Sequence, residues 1–437
     1  MNEAAKAKKG VRWTTYSAVV QTISQILKIS ILTRLLEKAD FGLVAIVMVV
    51  VGFCNLFVDL GFSAGIIHKQ SINQKEYSSL YWTNIILGII LYGVICLIAP
   101  FISNFYEQPL LMNIIPWLCL NVFIASVGRQ FRTVFYKKMN FKVPSCVDML
   151  SEILSLIFAT ILAIKGYGVY SLVWSTVFQC ALANFLFVVL GFRISPISFF
   201  FSLDLVIPFL KIGSYLVGAQ VFNYFSRDFD VLIIGKFLGA EMLGGYSLAK
   251  QLVGRPYSVV NPIINKVAGP YFANFQNDKN NLRRQYLSFL SVVSGANIII
   301  YSAIFLLAYP IVYVLYGESY LDVVILVQIL TVFMLDRAIG NPCGSLLAAT
   351  GKTNLDFKWN VIYFFIAPIF IFIGTAFNTT VTVAIAMDVC SLCLIYPFWH
   401  VVIKPVIGGS FTDYLKSIIN IKFALNSVVG VLKVKKI

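Results

Sequence analysis

The feature that most constrains the fold of this chain is a series of long apolar stretches without charge. Residues 81–100, 298–314 and 361–376 contain no Asp, Glu, Lys or Arg. A helix needs about 20 apolar residues to cross the hydrocarbon core of a bilayer, whereas barrel strands are shorter and alternate apolar with polar side chains. That alternation is missing here, and 59% of the residues are hydrophobic while only 12% are charged. We therefore predict an all-α polytopic membrane protein.

Twelve segments are predicted to cross the membrane, and Pro or Gly lies at several of their ends. Their ranges are 14–36, 42–67, 81–105, 111–135, 144–164, 168–192, 206–238, 242–272, 285–315, 323–349, 358–377 and 380–403. The segment 242–272 is the least apolar, because Lys250, Arg255 and Lys266 lie inside it. Such a segment is tolerated where it faces protein or a water-filled cavity.

The Lys and Arg residues outside these segments predict the orientation. If the N-terminus lies in the cytoplasm, the inner loops and the C-terminal tail carry almost all of them, and the outer loops carry only Lys38 and Lys165. Cytoplasmic loops of membrane proteins are enriched in Lys and Arg. We therefore expect both termini in the cytoplasm, and the net charge of +15 is explained without nucleic-acid binding. The basic tail is too polar to span and is expected at the anionic inner leaflet, as an interfacial helix or a loose segment.

An internal repeat relates the two parts of the chain. When Arg34 is placed on Lys236, Phe41-Gly42-Leu43 falls on Leu243-Gly244-Gly245, and six segments fall on six. An even number of spans in each repeat makes the two halves parallel, and transporters built in this way bind substrate near the interface of the halves. This organisation favours a transporter over a membrane enzyme. The predicted regions are a cytoplasmic N-terminus at 1–13, an N-terminal six-helix half at 14–192, a linker at 193–205, a C-terminal six-helix half at 206–403 and a basic tail at 404–437.

Charged residues inside the predicted spans are the candidate substrate-binding residues, because a charge in the bilayer centre is costly unless it has a function or a partner. Arg227, Asp228 and Asp230 lie together in the seventh span, where Arg227 and Asp230 share a helix face and can pair. The repeat aligns Lys28 with Asp230, which suggests opposite charges in the two halves. Two roles remain open for this cluster: it could line a hydrated cavity, or its charges could pair for a purely structural reason. Further candidates are Lys250, Arg255 and Arg337. The cationic excess suits an anionic substrate such as a diphosphate or an acidic sugar.

Three carboxylates are candidates for ion coupling. Asp148 and Glu152 share a face of the fifth span, where they could titrate with protons or could pair with Arg129 or Arg132. Asp336 lies in the tenth span. Coupling to a proton or a sodium gradient is therefore open, and we predict no cofactor. Cys390 and Cys393 have the spacing of a CxxC pair, but further ligands are lacking, so we predict no metal site.

Several glycine-rich motifs resemble those of a known family. Ile234-Gly235-Lys236-Phe237-Leu238-Gly239 and Leu243-Gly244-Gly245-Tyr246 resemble the start of the second half of polysaccharide flippases, the Wzx-like exporters of the MOP superfamily. Arg34-Leu35-Leu36, Asp40-Phe41-Gly42-Leu43 and Asp59-Leu60-Gly61-Phe62 resemble their first two spans. The resemblance covers about residues 10–400. It implies a V-shaped pair of six-helix bundles around a central cavity whose cationic lining corresponds here to Arg227, Lys250 and Arg255.

The resemblance also implies a function. The expected substrate is an undecaprenyl-diphosphate-linked oligosaccharide, moved across the bacterial inner membrane by alternating access for O-antigen, exopolysaccharide or capsule biosynthesis. Expected partners are this substrate, membrane lipids and a polysaccharide polymerase or assembly machinery, with the chain acting as a monomer. One alternative is a multidrug or cation antiporter of the same superfamily, which would favour an acidic cavity. A second is a membrane glycosyltransferase, ligase or polymerase, which would need an acid–base constellation, usually on a large outer loop, whereas the predicted outer loops are short. We therefore expect no enzymatic activity.

Overall fold

The structure, a computed structural model, describes residues 3–69 and 71–419, and in that part of the chain every regular element is a helix. The chain forms two compact units. The first comprises the residues up to Gly244 together with Leu315–Gly317, and the second comprises Gly245–Val314 and the residues from Glu318 onward. The all-α prediction is confirmed.

The first unit is built from helices that lie early in the chain. They are α1 (Glu3–Leu32), α2 (Lys38–Asp59), α3 (Phe62–His68), α4 (Gln74–Tyr106), α5 (Pro109–Lys137), α6 (Lys142–Ile164), α7 (Val169–Phe192) and α8 (Leu203–Phe237). Helix α5 packs against α2, α4 and α7, while α6 packs against α1 and α7. Helix α8 packs against α2 and α4, and the hydroxyl of Tyr224 donates to the carbonyl oxygen of Val49 at 2.7 Å. The boundary between halves that the repeat places at 193–205 stays a prediction.

The second predicted span is two helices, because the chain turns sharply between α2 and α3. Leu60 and Gly61 both have positive φ, at 40° and 73°. Such a conformation is easy for glycine and costly for leucine. The carboxylate of Asp59 accepts hydrogen bonds from the amide of Ser63 at 3.2 Å and from its hydroxyl at 2.6 Å. It thereby binds an amide in the first turn of α3 that has no partner within the helix.

The second unit contains most of the later helices, although α9 begins with residues of the first unit. These helices are α9 (Gly239–Ala273), α10 (Lys279–Leu306), α11 (Ala308–Tyr316), α12 (Val323–Gly340), α13 (Pro342–Ala349), α14 (Thr353–Thr375), α15 (Thr380–Phe398), α16 (Lys404–Ile407) and α17 (Phe411–Ile419). A π-helical turn, Trp399–Ile403, joins α15 to α16. Helix α12 packs against α10 and α15, and α14 packs against α13 and α15.

A proline explains why the ninth predicted span is interrupted. Pro310 lies in the first turn of α11. Because proline has no amide hydrogen and its ring clashes with the carbonyl group four residues earlier, it excludes a helical hydrogen bond to Leu306, the last residue of α10. The side-chain amide of Gln328 on α12 donates to the adjacent carbonyl oxygen, that of Phe305, at 3.4 Å. The break between α10 and α11 therefore has a local cause, and a neighbouring helix binds a backbone group beside it.

Nine described segments are long and apolar enough to cross a membrane, and each coincides with a predicted span. The three remaining predicted spans, the first, seventh and eighth, coincide with α1, α8 and α9, which are long helices that carry more polar residues. Twelve spans are therefore consistent with the helix pattern.

The start of the basic tail forms a helix on the second unit. In α17 the side chain of Tyr414 is buried, and the hydroxyl of Ser291 on α10 donates to the carbonyl oxygen of Ser417 at 2.7 Å. Residues 420–437 lie outside the described residues, so the prediction that the tail contacts the inner leaflet stays a prediction.

Candidate functional site

A buried polar network joins α1, α6 and α7 inside the first unit. The carboxylate oxygen Oε2 of Glu152 accepts hydrogen bonds from the amides of Gln25, at 3.2 Å, and Gln179, at 2.5 Å. One turn along both helices, Lys28 Nζ donates to Ser155 Oγ at 2.9 Å. The hydroxyl of Ser155 in turn donates a hydrogen bond to the carbonyl oxygen of Ser175 at 2.8 Å. The sequence places these groups together because Gln25 and Lys28 share one helix face, as do Glu152 and Ser155.

Burial distinguishes this network from polar contacts at the surface of the unit. Only 1% of the Glu152 surface is exposed, and Lys28 interacts with it electrostatically. A buried carboxylate is tolerated only with hydrogen bonds or an opposite charge nearby, and Glu152 has both. A neutral amide can hold either the charged or the protonated acid, because its oxygen accepts and its nitrogen donates. Glu152 is therefore a buried acid that is bound by two neutral amides and has Lys28 nearby.

The two arginines of α5 have different partners. Arg132 Nη2 lies 2.7 Å from Asp148 Oδ2 in an ion pair with α6. Arg129 instead donates to Asn55 of α2, to the backbone oxygen at 3.1 Å and to the side-chain oxygen at 3.0 Å. Of the alternatives left open for Asp148 and Glu152, the structure pairs Asp148 with Arg132 and surrounds Glu152 with amides. The coupling role of both stays a prediction.

The charged cluster of α8 is arranged around Tyr224. Arg227 Nε and Nη2 each donate to Asp228 Oδ2 at 3.0 Å, and the guanidinium lies 5.2 Å from the centroid of the Tyr224 ring. About half of the Arg227 side chain, 52%, is exposed, whereas Asp230 is 1% exposed. Arg227 thus forms an ion pair with the adjacent Asp228 and lies over the ring of Tyr224, and the predicted pairing of Arg227 with Asp230 stays a prediction. The predicted pairing of Lys28 with Asp230 stays a prediction.

In the second unit a cation lies against α9. The guanidinium of Arg337 on α12 lies 5.8 Å from the centroid of the Tyr257 ring. Lys250 and Tyr257 are seven residues, about two turns, apart and therefore lie on one face of α9. Lys250, Arg255 and Arg337 are all partly exposed in these helices. The predicted substrate-binding cations of the second unit are thus carried by α9 and α12, and their contact with substrate stays a prediction.

A carboxylate that the sequence reasoning missed lies beside Asp336. The hydroxyl of Ser391 on α15 donates to Asp336 Oδ2. Asp388, one turn before Ser391, interacts electrostatically with Asp336. Among the described residues, its buried Oδ1 atom has no hydrogen-bond partner. The signal was available in the sequence, since Asp388 is the one acidic residue of the span 380–403.

Two glycines that the repeat aligns occupy a close approach of backbones. A Cβ atom on Gly42 would lie 1.9 Å from the carbonyl oxygen of Ala240, and one on Gly244 would lie 1.8 Å from that of Lys38. Both contacts lie within the first unit. A side chain at either position would therefore force the two backbones apart, which gives the motif glycines a structural role.

Comparisons with known proteins agree with these observations. Residues 31–325 match the family model described as polysaccharide biosynthesis protein. The chain is 32% identical to the amylovoran biosynthesis protein AmsL of Erwinia amylovora, over 84% of this chain and 95% of that protein. It is 28% identical to the lipopolysaccharide biosynthesis protein WzxC of Escherichia coli (strain K12), over 96% of this chain and 85% of that protein.

A solved structure supports the fold. The lipid II flippase MurJ in an inward closed conformation superposes with a TM-score of 0.71 at 14% identity, covering 97% of this chain and 92% of that one. At this identity the likeness concerns the fold alone. Together with the helices of membrane-spanning length, it makes the chain a multi-pass membrane protein. The matches confirm the resemblance drawn from the glycine motifs, and the chain belongs to the polysaccharide biosynthesis protein family of Wzx-like membrane proteins.

Proposed function

We propose that this protein is a flippase that moves an undecaprenyl-diphosphate-linked oligosaccharide across the bacterial inner membrane for the biosynthesis of a surface polysaccharide. The similarity to WzxC, a lipopolysaccharide biosynthesis protein, over 96% of the chain carries this proposal. Flipping makes and breaks no bond, so the proposed role is transport rather than catalysis. The physical task is to pass a hydrophilic sugar head through lipid.

The cations of both units suit the proposed substrate. The diphosphate of this substrate is anionic, and the guanidinium of arginine binds phosphate oxygens through several parallel donors. Arg227 in α8, Lys250 and Arg255 in α9 and Arg337 in α12 are proposed to contact the diphosphate or acidic sugars during transport. Alternating access would expose these groups to one side of the membrane at a time.

Ion coupling is proposed to use the buried carboxylates. Asp148 has an arginine partner, which makes it less suited to release and bind a cation. Glu152, held by two neutral amides, and Asp336, with Asp388 beside it, are better candidates for binding a proton or a sodium ion. The proposed topology places both termini in the cytoplasm, and the chain is proposed to act as a monomer near a polysaccharide polymerase or assembly machinery.

The test is the fate of the lipid-linked oligosaccharide in a strain that lacks this gene and any paralogue. We expect the oligosaccharide to accumulate on the inner leaflet while surface polysaccharide is lost, and the wild-type gene to restore both. An Arg337→Gln variant expressed at the wild-type level should restore neither, whereas Lys165→Gln, in a predicted outer loop, should restore both. Normal export without the gene would exclude the flippase function. Loss of drug resistance with normal export would favour the antiporter.

A further inference from the structure

The segment at residues 198–202, here called the aromatic segment, is fixed to the first turns of α4. The amide of Ser198 donates to Ser78 Oγ at 2.9 Å, and the amide of Ser202 donates to Ser79 Oγ at 3.1 Å. The indole nitrogen of Trp82 donates to the carbonyl oxygen of Ser198 at 3.0 Å. Polar backbone groups at both ends of the segment are therefore bound by α4. Such anchoring allows a non-helical segment to approach lipid, since unsatisfied backbone groups are excluded from hydrocarbon.

Two aromatic side chains of this segment are exposed. Phe199 is 98% exposed and stacks on Trp82, with ring centroids 5.5 Å apart. Phe201 is 46% exposed, and Leu203, the first residue of α8, is 60% exposed. Exposed apolar side chains that are grouped on one surface mark a site of contact with lipid or with another molecule.

The position of the anchor along α4 favours lipid as the occupant. Helix α4 begins at Gln74, its last charged residue at this end is Glu76, and the polar residues Ser78 and Ser79 precede the predicted span that begins at residue 81. Trp82 therefore lies where the helix passes from the polar surface into hydrocarbon, which is the depth at which Trp is enriched in membrane proteins. Phe199, stacked on Trp82, lies at the same depth.

One basic side chain contacts the aromatic segment, and two further lysines lie at the same end of α4. Lys75 Nζ lies 5.2 Å from the centroid of the Phe200 ring. Lys69 lies in the turn before α4, where it pairs with Glu76 at 2.6 Å, and Lys137 Nζ donates to the carbonyl oxygen of Lys69 at 2.6 Å. This grouping of positive charge beside exposed aromatic rings is the composition of segments that bind anionic membrane surfaces.

We propose that the aromatic segment inserts Phe199 and Phe201 into the bilayer beside the first turns of α4, with Lys75 binding anionic phospholipid headgroups. In the proposed orientation this is the cytoplasmic leaflet. The proposal concerns the membrane anchoring of one surface of the first unit, and it stands whether or not the protein is a flippase.

The test is photo-crosslinking in proteoliposomes of equal parts phosphatidylcholine and phosphatidylglycerol, with p-benzoylphenylalanine in place of Phe199. This substitution retains the aromatic ring, so the fold should be preserved. We expect phospholipid adducts by mass spectrometry, as at the control position Phe365, an exposed side chain on the membrane-spanning helix α14. The probe at Lys138, in the turn after α5, should give few adducts.

The composition of the adducts tests the role of charge. Phosphatidylglycerol should be enriched among adducts at position 199 by a factor of about two to five, the range expected when one basic side chain attracts anionic lipid. Lys75→Gln should reduce this enrichment. If position 199 gives no lipid adduct while position 365 does, or if in native membranes it gives only a protein adduct, the proposal is wrong. Enrichment unchanged by Lys75→Gln would exclude Lys75 as the headgroup ligand.

Discussion

Replacing Gly42 with alanine should disrupt the packing of α2 against the first turn of α9. The added Cβ would lie 1.9 Å from the carbonyl oxygen of Ala240 and 2.8 Å from its carbonyl carbon. An ordinary contact between such atoms is roughly 3.5 Å, so the two backbones would have to separate by more than an ångström. Because both obstructing atoms belong to the backbone, no side-chain rotation can relieve the clash.

Two opposing contributions determine the size of the effect. Inserting a methyl group into a tightly packed site costs about 1–3 kcal/mol. Alanine also removes the entropic disadvantage of glycine in a helix, which favours the variant by about 0.5–1 kcal/mol. We therefore expect Gly42→Ala to lower the free energy of unfolding by about 1–2 kcal/mol. Gly244→Ala should behave similarly, since its Cβ would lie 1.8 Å from the carbonyl oxygen of Lys38.

Gly93 provides a matched control in the same unit. It lies inside α4, and nothing is within 4 Å of the position where a Cβ would be. Gly93→Ala should therefore leave the midpoint of thermal unfolding in detergent unchanged or slightly raised, whereas Gly42→Ala should lower it and reduce export of the lipid-linked oligosaccharide. If Gly42→Ala unfolds at the wild-type midpoint and exports normally, the close approach of the two backbones is refuted.

Three further predictions concern charged groups of the first unit. Glu152→Gln should reduce transport and cost about 1–3 kcal/mol of stability, because an amide oxygen in the place of Oε2 would accept both hydrogen bonds more weakly and would not offset the charge of Lys28. Lys28→Met should also reduce transport. Because Lys28 interacts with Glu152, the destabilisation of the double variant should differ from the sum of the two single destabilisations by at least about 0.5 kcal/mol. If the two destabilisations simply add, the residues do not interact. The hydrogen bond from Lys236, at 2.8 Å, lowers the pKa of Glu107 below its ordinary value. A lowered carboxyl pKa contributes stability above the pKa of the unfolded chain, and the contribution is lost as the pH falls through the folded pKa. At neutral pH the unfolding midpoint of Glu107→Gln should therefore be lower than that of the wild type, and in acid the two midpoints should converge. If the two midpoints still differ in acid, the ion pair of Glu107 with Lys236 is not the cause of the difference.

The membrane helices could be predicted from the sequence because lipid imposes a simple requirement. Every backbone polar group in hydrocarbon has to be bound within its own helix, so an uncharged apolar stretch of sufficient length is a helix. The predicted spans 144–164 and 168–192 differ by only one or two residues from α6 (Lys142–Ile164) and α7 (Val169–Phe192). In these helices no tertiary contact is needed to decide the secondary structure.

The interruptions within spans were harder to predict. Hydropathy is a sum over a window, and it does not change when Leu60 adopts a left-handed conformation or when Pro310 removes a single helical hydrogen bond. Pro310 and Pro342 were visible signals, and each lies in the first turn of a new helix. The break at Leu60 had a weaker signal, since only the following Gly61 favours positive φ.

The candidate site residues could be enumerated from the sequence, but their partners could not. Asp148 and Glu152 lie one turn apart and have the same charge, yet one binds Arg132 and the other binds two glutamines. A glutamine in an apolar span gives no charge signal, and Gln25 is 127 residues from Glu152. Partners at such separation follow from helix packing alone.

The partners in turn indicate which buried charges are suited to transport. An ion pair such as that of Asp148 with Arg132 neutralises both groups, and removing either partner leaves an isolated charge in the bundle. Glu152 and Asp388 differ from it, because the hydrogen bonds of Glu152 come from neutral amides and the buried Oδ1 atom of Asp388 has no hydrogen-bond partner within the described residues. We propose that carboxylates in such surroundings are better suited to bind a cation than one that is held in an ion pair such as that of Asp148. We therefore propose that coupling should be sought first at Glu152 in the first unit and at Asp336 with its neighbour Asp388 in the second.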